Sequence, residues 1–475
     1  MKKQDNWLIW LVSLVAALCL MTAMAMSAGS DAAKEAERKE KPPKAAVTPA
    51  QPPALLLISI DGLRPDAVLQ AERHGLKVPN LLRMVSDGAY ATGVRGVLPT
   101  VTYPSHTTLI TGASPARHGI YTNTTFDPFN RNEQGWYWYA EDIQVPTLWD
   151  AARQAGLKTA NVHWPVSVGA AVDYNLPQLW RTGTADDTKL LRALETPGME
   201  AELAAALKEA YPLGKAEDVD SDEKRARFAI ELLKRKRPGF ATIYLTGLDT
   251  EEHHSGPFSK ESNAVLERLD AVLGQLREAA ETAYAGHVWI AVVSDHGFAA
   301  VQHDVNLYTA FIEAGMITIN AAGDIKAWEA EPWPSGGSAA VVLREANNAA
   351  VAARVHELLE RLAADPENGI ERIVTKEELR QAGGFPGAEA FVAFRLGYEL
   401  GFSMKGALVS PPHYRGMHGY LASHDEMLSS FFVTGPGVKA GKNLGEIDMR
   451  QIAPALAGLL GVKLEAAEKP AVELR

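Results

Sequence analysis

Three apolar runs, each followed within a few residues by an acid, constrain this chain more than any other feature. "LLLISI" at 55–60 runs straight into Asp61, "FATIYL" at 240–245 is followed four residues later by Asp249, and "VWIAVV" at 288–293 by Asp295 and His296. Runs that are apolar at every position suit strands buried on both faces, and helical periodicity between them supplies the covering layers. One such helix lies between the second and third runs, where Val265, Leu269, Val272, Leu273 and Leu276 fall on one stripe. The expected fold is α/β, a doubly wound, mostly parallel sheet with helices on both faces. Ligands of such sheets bind beyond the carboxyl ends of the strands, so these acids should converge there.

The chain has 475 residues, enough for one large domain carrying a sizeable insert, since single cores stop growing at roughly 250 to 300 residues. Residues 1–28 hold two lysines, an uncharged run from Trp7 to Ala28 and the small-residue site Ala23-Met24-Ala25. This reads as a signal peptide, with an N-terminal membrane anchor as the alternative. Residues 29–53 are charged, then rich in Pro and Ala, which makes them a disordered linker. Residues 54–475 form the expected catalytic domain, interrupted over about 300–410 by a segment that departs from the strand-acid rhythm and reads as a cap. The aromatic stretch "GWYWYAED" at 135–142 either packs on the sheet or lines a substrate groove. Cys19 is the only cysteine, so the exported part has no disulfide and no thiolate ligand. Net charge is −11, which supplies no global field for nucleic acid or an anionic membrane. No nucleic-acid binding is expected, and the oligomeric state is not legible.

Asp249 and His253 are four apart and so share one face of a helical turn, whereas His254 points elsewhere. Asp295 and His296 are adjacent at a strand end, and His418 is flanked by glycines that permit tight backbone geometry. With Asp61 these make three Asp and three His, a nitrogen and oxygen donor set suited to Zn²⁺ and tolerable for Mn²⁺ or Fe. A second unusual stretch, "VLPTVTYPSHTTLITG" at 97–112, carries five Thr, a Ser and a His. Pro104 suits the first turn of a helix running to about residue 111, whose free N–H groups and dipole would favour an anion. Thr107, Thr108 and Thr111 are expected to bond carbonyls one turn back. His106, His118 and His254 are expected to be structural or to orient ligands.

The pieces "ISIDGLRPD", "PTVTYPSHTTLITGASPARHGIYTN", "LDTEEHHSGP", "VVSDHG" and "MHGYLASHDEM", in this order from residue 57 to 427, resemble the nucleotide pyrophosphatase/phosphodiesterase family of the alkaline phosphatase superfamily. The resemblance implies an alkaline-phosphatase-like fold with an inserted cap and two Zn²⁺. It places Asp61, Thr102, Asp295 and His296 around one ion, and Asp249, His253 and His418 around the other. Thr102 would be the nucleophile and Asn123 a donor to a phosphoryl oxygen, giving a phosphothreonine intermediate. Tyr103 and Tyr244 match positions where relatives place aromatic rings about a leaving group, although Tyr244 lies within a strand and is equally a core residue. A threonine hydroxyl is a poor nucleophile unaided, and no Ser-His-Asp arrangement is evident, so metal coordination is the natural activator. Ser105 stands where many relatives carry Asn, and Leu421-Ala422 where many carry Asp-Asn; both changes bear on the leaving group and spare the metal ligands.

The implied activity is hydrolysis of a small-molecule phosphate diester or nucleotide pyrophosphate, outside the cytoplasm, periplasmic or extracellular if the source is bacterial. A phosphomonoesterase would need extra cations, and the matched motifs hold only Arg64, Arg117 and Arg415. A phosphonate hydrolase fits the same two-metal chemistry. From another class, a non-catalytic envelope binding protein has little need for Thr102 among so many polar partners, since each buried polar group costs stability unless satisfied.

Overall fold

The computed structural model describes residues 53–475 apart from 133, 134 and 213. The expected leader over 1–28 and all but the last residue of the linker lie outside the described residues. Among the described residues no helix is long and apolar enough to cross a membrane.

Eight strands form the main sheet: β1 (Ala54–Ile60), β2 (Ala89–Tyr90), β3 (Thr159–Val162), β4 (Tyr174–Leu176), β5 (Phe240–Leu245), β6 (Val288–Val293), β7 (Phe431–Thr434) and β8 (Lys442–Asn443). Their spatial order is β8-β2-β7-β6-β1-β5-β3-β4. The three apolar runs of the sequence are therefore immediate neighbours, with β1 parallel to both β5 and β6. Ser59 registers with Tyr244 on one side and Val293 on the other, so the acids emerge from one edge of the sheet. β7 is antiparallel to β6 and β2 and makes the sheet mixed.

Five helices matter to the site: α1 (Thr102–Thr111), α2 (Val219–Lys236), α3 (Gly247–Ser255), α4 (Lys260–Ala283) and α5 (Ile452–Leu460). The side-chain alternation of β1 feeds two cores, as the period of two requires. Leu56, Ile58 and Ile60 pack with Leu232 and Leu233 of α2 and Leu269 and Val272 of α4. Leu55 and Leu57 pack with Leu456 and Leu459 of α5 and with Trp149. On α4, Leu266 is buried in the row expected to begin at Val265, which lies half-buried at its edge. Ser259 caps α4 through the Ser262 amide, and Asp218 caps α2 through the Ser221 amide.

Beyond β6 the chain leaves the main sheet. A second, antiparallel sheet runs in the order Ala330–Pro334, Ser338–Leu343, Ala388–Phe394, Ile370–Thr375. Helix Ala349–Ala363 covers it, burying Val355 and Leu359 with Val341, Val392 and Phe394. The chain then returns through His418 to β7.

Candidate metal centre and nucleophile

Asp61, Asp295 and His296 extend the ends of β1 and β6, Asp249 and His253 ride on α3 directly after β5, and His418 arrives from the returning chain. Ligand atoms of Asp61, Asp295 and His296 lie within 4.8 Å of one another, as do those of Asp249, His296 and His418. His296 thus belongs to both groups. His253 reaches Asp249, with Nε2 3.4 Å from Oδ1, but the mutual cluster with His418 contains His296 in its place.

Each of the three imidazoles is oriented in the same way. His253 Nδ1 donates to the Gly416 carbonyl at 3.0 Å, His296 Nδ1 to Gly297 at 3.1 Å and His418 Nδ1 to Thr100 at 3.2 Å. A backbone carbonyl on one ring nitrogen fixes the tautomer and leaves the other as a bare lone pair. Those lone pairs face carboxylate oxygens: His296 Nε2 is 3.4 Å from Asp61 Oδ1 and 3.1 Å from Asp295 Oδ2, and His418 Nε2 is 3.7 Å from Asp249 Oδ1. Asp61 Oδ1, Asp249 Oδ1 and Asp295 Oδ2 are the oxygens that lack any hydrogen-bond partner. Lone pairs aimed at unpartnered carboxylate oxygens repel unless a cation lies among them. The residues present therefore fit a metal centre with nitrogen and oxygen ligands.

The electrostatics are those of the protein groups alone: burial opposes a charge on His253, but Asp249 outweighs it and lifts that ring above the ordinary imidazole value. Burial, then the charges of Asp249 and Asp295, push the Asp61 carboxyl well above the usual carboxylate range. Burial also opposes the charge of Asp295, but the His296 and His106 rings outweigh it and hold that carboxyl below its ordinary range. For Asp249 burial is likewise outweighed, first by His253. Burial and the neighbouring His296 drive His418 well below the ordinary imidazole value, which keeps it neutral as ligation requires.

Thr102 opens α1 beside this cluster, its Oγ1 3.4 Å from His296 Nε2. Asn123 bridges the helix start: Nδ2 donates to Thr102 Oγ1 at 3.4 Å and Oδ1 accepts from the Tyr103 amide at 2.9 Å. This revises the expectation of free N–H groups at the first turn. Tyr103 N–H is taken by Asn123, Pro104 has none, and Ser105 N–H donates to the Val101 carbonyl, so among the described residues Thr102 N–H is the one amide of this turn left free. The dipole, the Thr102 N–H and the Asn123 amide are what the helix start offers an anion.

The remaining hydroxyls are scaffold. Thr107 and Thr111 bond the carbonyls of Tyr103 and Thr107, one turn back, as expected. Thr108 does not; its hydroxyl reaches forward to the Ala113 carbonyl at 2.9 Å, because the helix ends at Gly112 and leaves that acceptor within range. Thr100 donates to the Tyr420 carbonyl at 2.7 Å. His106 donates to the Thr102 carbonyl and meets Ser59 Oγ, both at 2.9 Å, so it braces the nucleophile's backbone. His118 accepts from the Ile120 amide, and His254 bonds the Thr250 carbonyl at the surface.

Neither tyrosine presents an open ring. Tyr244 is 2 % exposed, and its hydroxyl donates to Asp61 Oδ2, which puts the ring beneath the carboxylates and not against a leaving group. Burial and then the Asp61 charge hold its phenol well above the usual range, so it remains a donor. Tyr103 is 1 % exposed, donates to Gln178 Oε1 at 2.8 Å, and packs edge-on against Trp136 and Trp138. The aromatic stretch at 135–142 thus packs, with Trp180 as a further member, and only Tyr139 stands well exposed. Sequence reasoning missed Tyr244 as a partner of Asp61 and Gln178 as the partner of Tyr103; a phenol in a strand carries no signal for which carboxylate it will meet.

An alkaline-phosphatase-like α/β fold with a nitrogen and oxygen ligand cluster beside a threonine is the class defined by these features. A profile of the type I phosphodiesterase / nucleotide pyrophosphatase family matches residues 55–421, and the chain belongs to that family. Ectonucleotide pyrophosphatase/phosphodiesterase family member 3 of Rattus norvegicus is 28 % identical over 258 residues, 52 % of this chain and 25 % of that protein. Venom phosphodiesterase of Naja atra is 27 % identical over 258 residues, 52 % of this chain and 26 % of its own length. These matches span about a quarter of those relatives. Among solved structures, murine ectonucleotide pyrophosphatase/phosphodiesterase 5, an inactive variant in complex with AMP, superposes with a TM-score of 0.63 at 19 % identity. That superposition covers 89 % of this chain and 97 % of the murine one.

Proposed function

We propose that this protein hydrolyses phosphate diester or pyrophosphate bonds of small molecules through a phosphothreonine intermediate on Thr102, with two Zn²⁺ as cofactors. The observation that carries this reading is the meeting of three imidazole Nε2 atoms and three unpartnered carboxylate oxygens beside the Thr102 hydroxyl. Asp61, Asp295 and His296, with Thr102, would hold one ion, and Asp249, His253 and His418 the other. When bound, the ions supply the Lewis-acid charge that makes a hydroxyl or water nucleophilic near neutral pH and offsets charge developing on the oxygens.

Thr102 Oγ1 bonds phosphorus as the bond to the leaving-group oxygen breaks, and the proton given up by Thr102 balances the charge on that departing oxygen, which leaves as its conjugate acid. Asn123 Nδ2 donates to a phosphoryl oxygen at this stage, when negative charge there grows. Water then cleaves the phosphothreonine ester and returns a proton to Thr102. A diester is favoured over a monoester because two of the three motif arginines are committed elsewhere. Arg64 holds Asp66 and the Phe298 carbonyl, Arg117 bonds the Ala466 carbonyl, and the Arg415 residue is exposed. The segment over about 300–410 would act as the cap that selects what is attached to phosphorus. The N-terminal run supports export, with or without cleavage.

The test is the ratio of bis-p-nitrophenyl phosphate to p-nitrophenyl phosphate hydrolysis by the zinc-loaded domain, with a chelated control. A chelator-sensitive diester preference is expected. Monoester preference would move the protein to the phosphatase branch, and absence of zinc-dependent turnover on either would leave phosphonates or a binding role. Asn123→Ala should lower kcat by about 10²- to 10³-fold, the effect of removing one oxyanion donor, with bound zinc unchanged. Wild-type kcat in that variant would remove Asn123 from the mechanism.

A further inference from the structure

Helix α3 carries Asp249 and His253, yet its start is held by residues outside every motif of the site. Its N-cap Thr246 makes no side-chain cap. Asp222, on the first turns of α2 and 0 % exposed, takes its place. It accepts from the Thr246 amide at 2.9 and 3.1 Å and from the Gly247 amide at 2.7 Å. Arg225, equally buried, donates to Asp222 Oδ1 at 2.8 Å, to Thr246 Oγ1 at 3.2 Å and to the Ala216 carbonyl. These are charge-assisted bonds in a dry place, where removing one partner strands the other's charge. The two helix starts also abut backbone to backbone, since a Cβ on Gly247 would fall 2.6 Å from Val219 N.

We propose that Asp222 and Arg225 are positioning residues that set α3 so that Asp249 and His253 present their ligand atoms to one metal ion. The inference rests on the metal reading of the site above. Asp249 is two residues from the amide that Asp222 holds, and His253 is one turn further on the same face. A slip of the helix start therefore moves both ligands together. Asp61 and Asp295 follow β1 and β6 and would stay in place, so the effect should fall on one ion of the two.

Asp222→Asn keeps the shape and removes the charge. Zinc retained per chain is measured across a graded series of chelator concentrations, with circular dichroism to verify the fold. One ion should bind about 10- to 100-fold more weakly, the usual effect of disturbing groups that orient ligands, while the other is retained. Asp270→Asn is the control. Asp270 accepts from the Asn80 and Leu81 amides at 3.1 and 2.7 Å at the start of the helix Pro79–Asp87, which carries no ligand. It should lower Tm and leave both zinc affinities alone. Wild-type zinc affinities in folded Asp222→Asn would overturn the proposal, and so would an equal loss in Asp270→Asn. Should Asp222→Asn fail to fold, Gly247→Ala disturbs the same contact from the other side and should weaken the same single ion; unchanged affinities there overturn the proposal too. Wild-type protein that binds no zinc would instead defeat the metal reading, and this inference with it.

Discussion

Thr102→Ala should reduce turnover of any diester substrate by at least about 10³-fold, the scale seen when a covalent nucleophile is removed, while zinc content and Tm stay near wild type. Physical grounds for both halves lie in the surroundings of the side chain. The hydroxyl is the one oxygen of α1 that meets both His296 Nε2 and Asn123 Nδ2, each at 3.4 Å. The later threonines of α1 are committed elsewhere: Thr107 and Thr111 bond the Tyr103 and Thr107 carbonyls one turn back, and Thr108 bonds the Ala113 carbonyl. The fold should tolerate the change because alanine is the best helix former and α1 keeps its backbone contacts to Asn123 and His106. Rapid-quench capture of a labelled phosphoenzyme in wild type, and its loss in the variant, would identify the intermediate. Full activity in Thr102→Ala would end the phosphothreonine mechanism, whatever the metal content.

The second large effect is expected at His296, whose ring lies within ligand distance of both carboxylate-imidazole clusters. His296→Ala should release zinc from the position it would share with Asp61 and Asp295 and cost more than about 10²-fold in kcat/KM at zinc concentrations that saturate wild type, since replacing even the groups behind a ligand costs 10- to 100-fold. Loss of the ring also removes its stacking on His418, whose centroid is 3.7 Å away, so some loss of Tm accompanies it. His296→Gln fills most of that space and separates the effects: Tm should recover and activity should not. Metal analysis together with kcat/KM decides the matter. A variant holding two zinc ions and turning over at the wild-type rate would show that His296 is not a ligand.

Comparison of the two largest effects with the sequence reading shows which information is local. Asp295 and His296 were visible because a strand that ends in an acid at the carboxyl edge of a parallel sheet has few structural reasons to do so. Asp249 and His253 were visible because four residues make one helical turn. His418 had only its flanking glycines as a signal, and its place in the cluster comes from the long excursion through the second sheet and back. Thr108 was misread because its partner depends on where the helix stops, at Gly112, and not on helix geometry alone.

By itself the sequence determined the class of fold, the strands that would carry the acids, the ligand types and the candidate nucleophile, because each is written in short-range periodicity or in motifs a few residues long. Tertiary structure alone decided which ring nitrogens face which oxygens, that His296 lies within reach of both clusters, that Tyr244 lies under Asp61, and that Asp222 and Arg225 pin the start of α3. Contacts of the site join groups 318 residues apart, as His418 on the Thr100 carbonyl, over a few ångströms. Hydrogen bonds and ligand distances are set by packing across the sheet, and no local pattern encodes which distant side chain will arrive there.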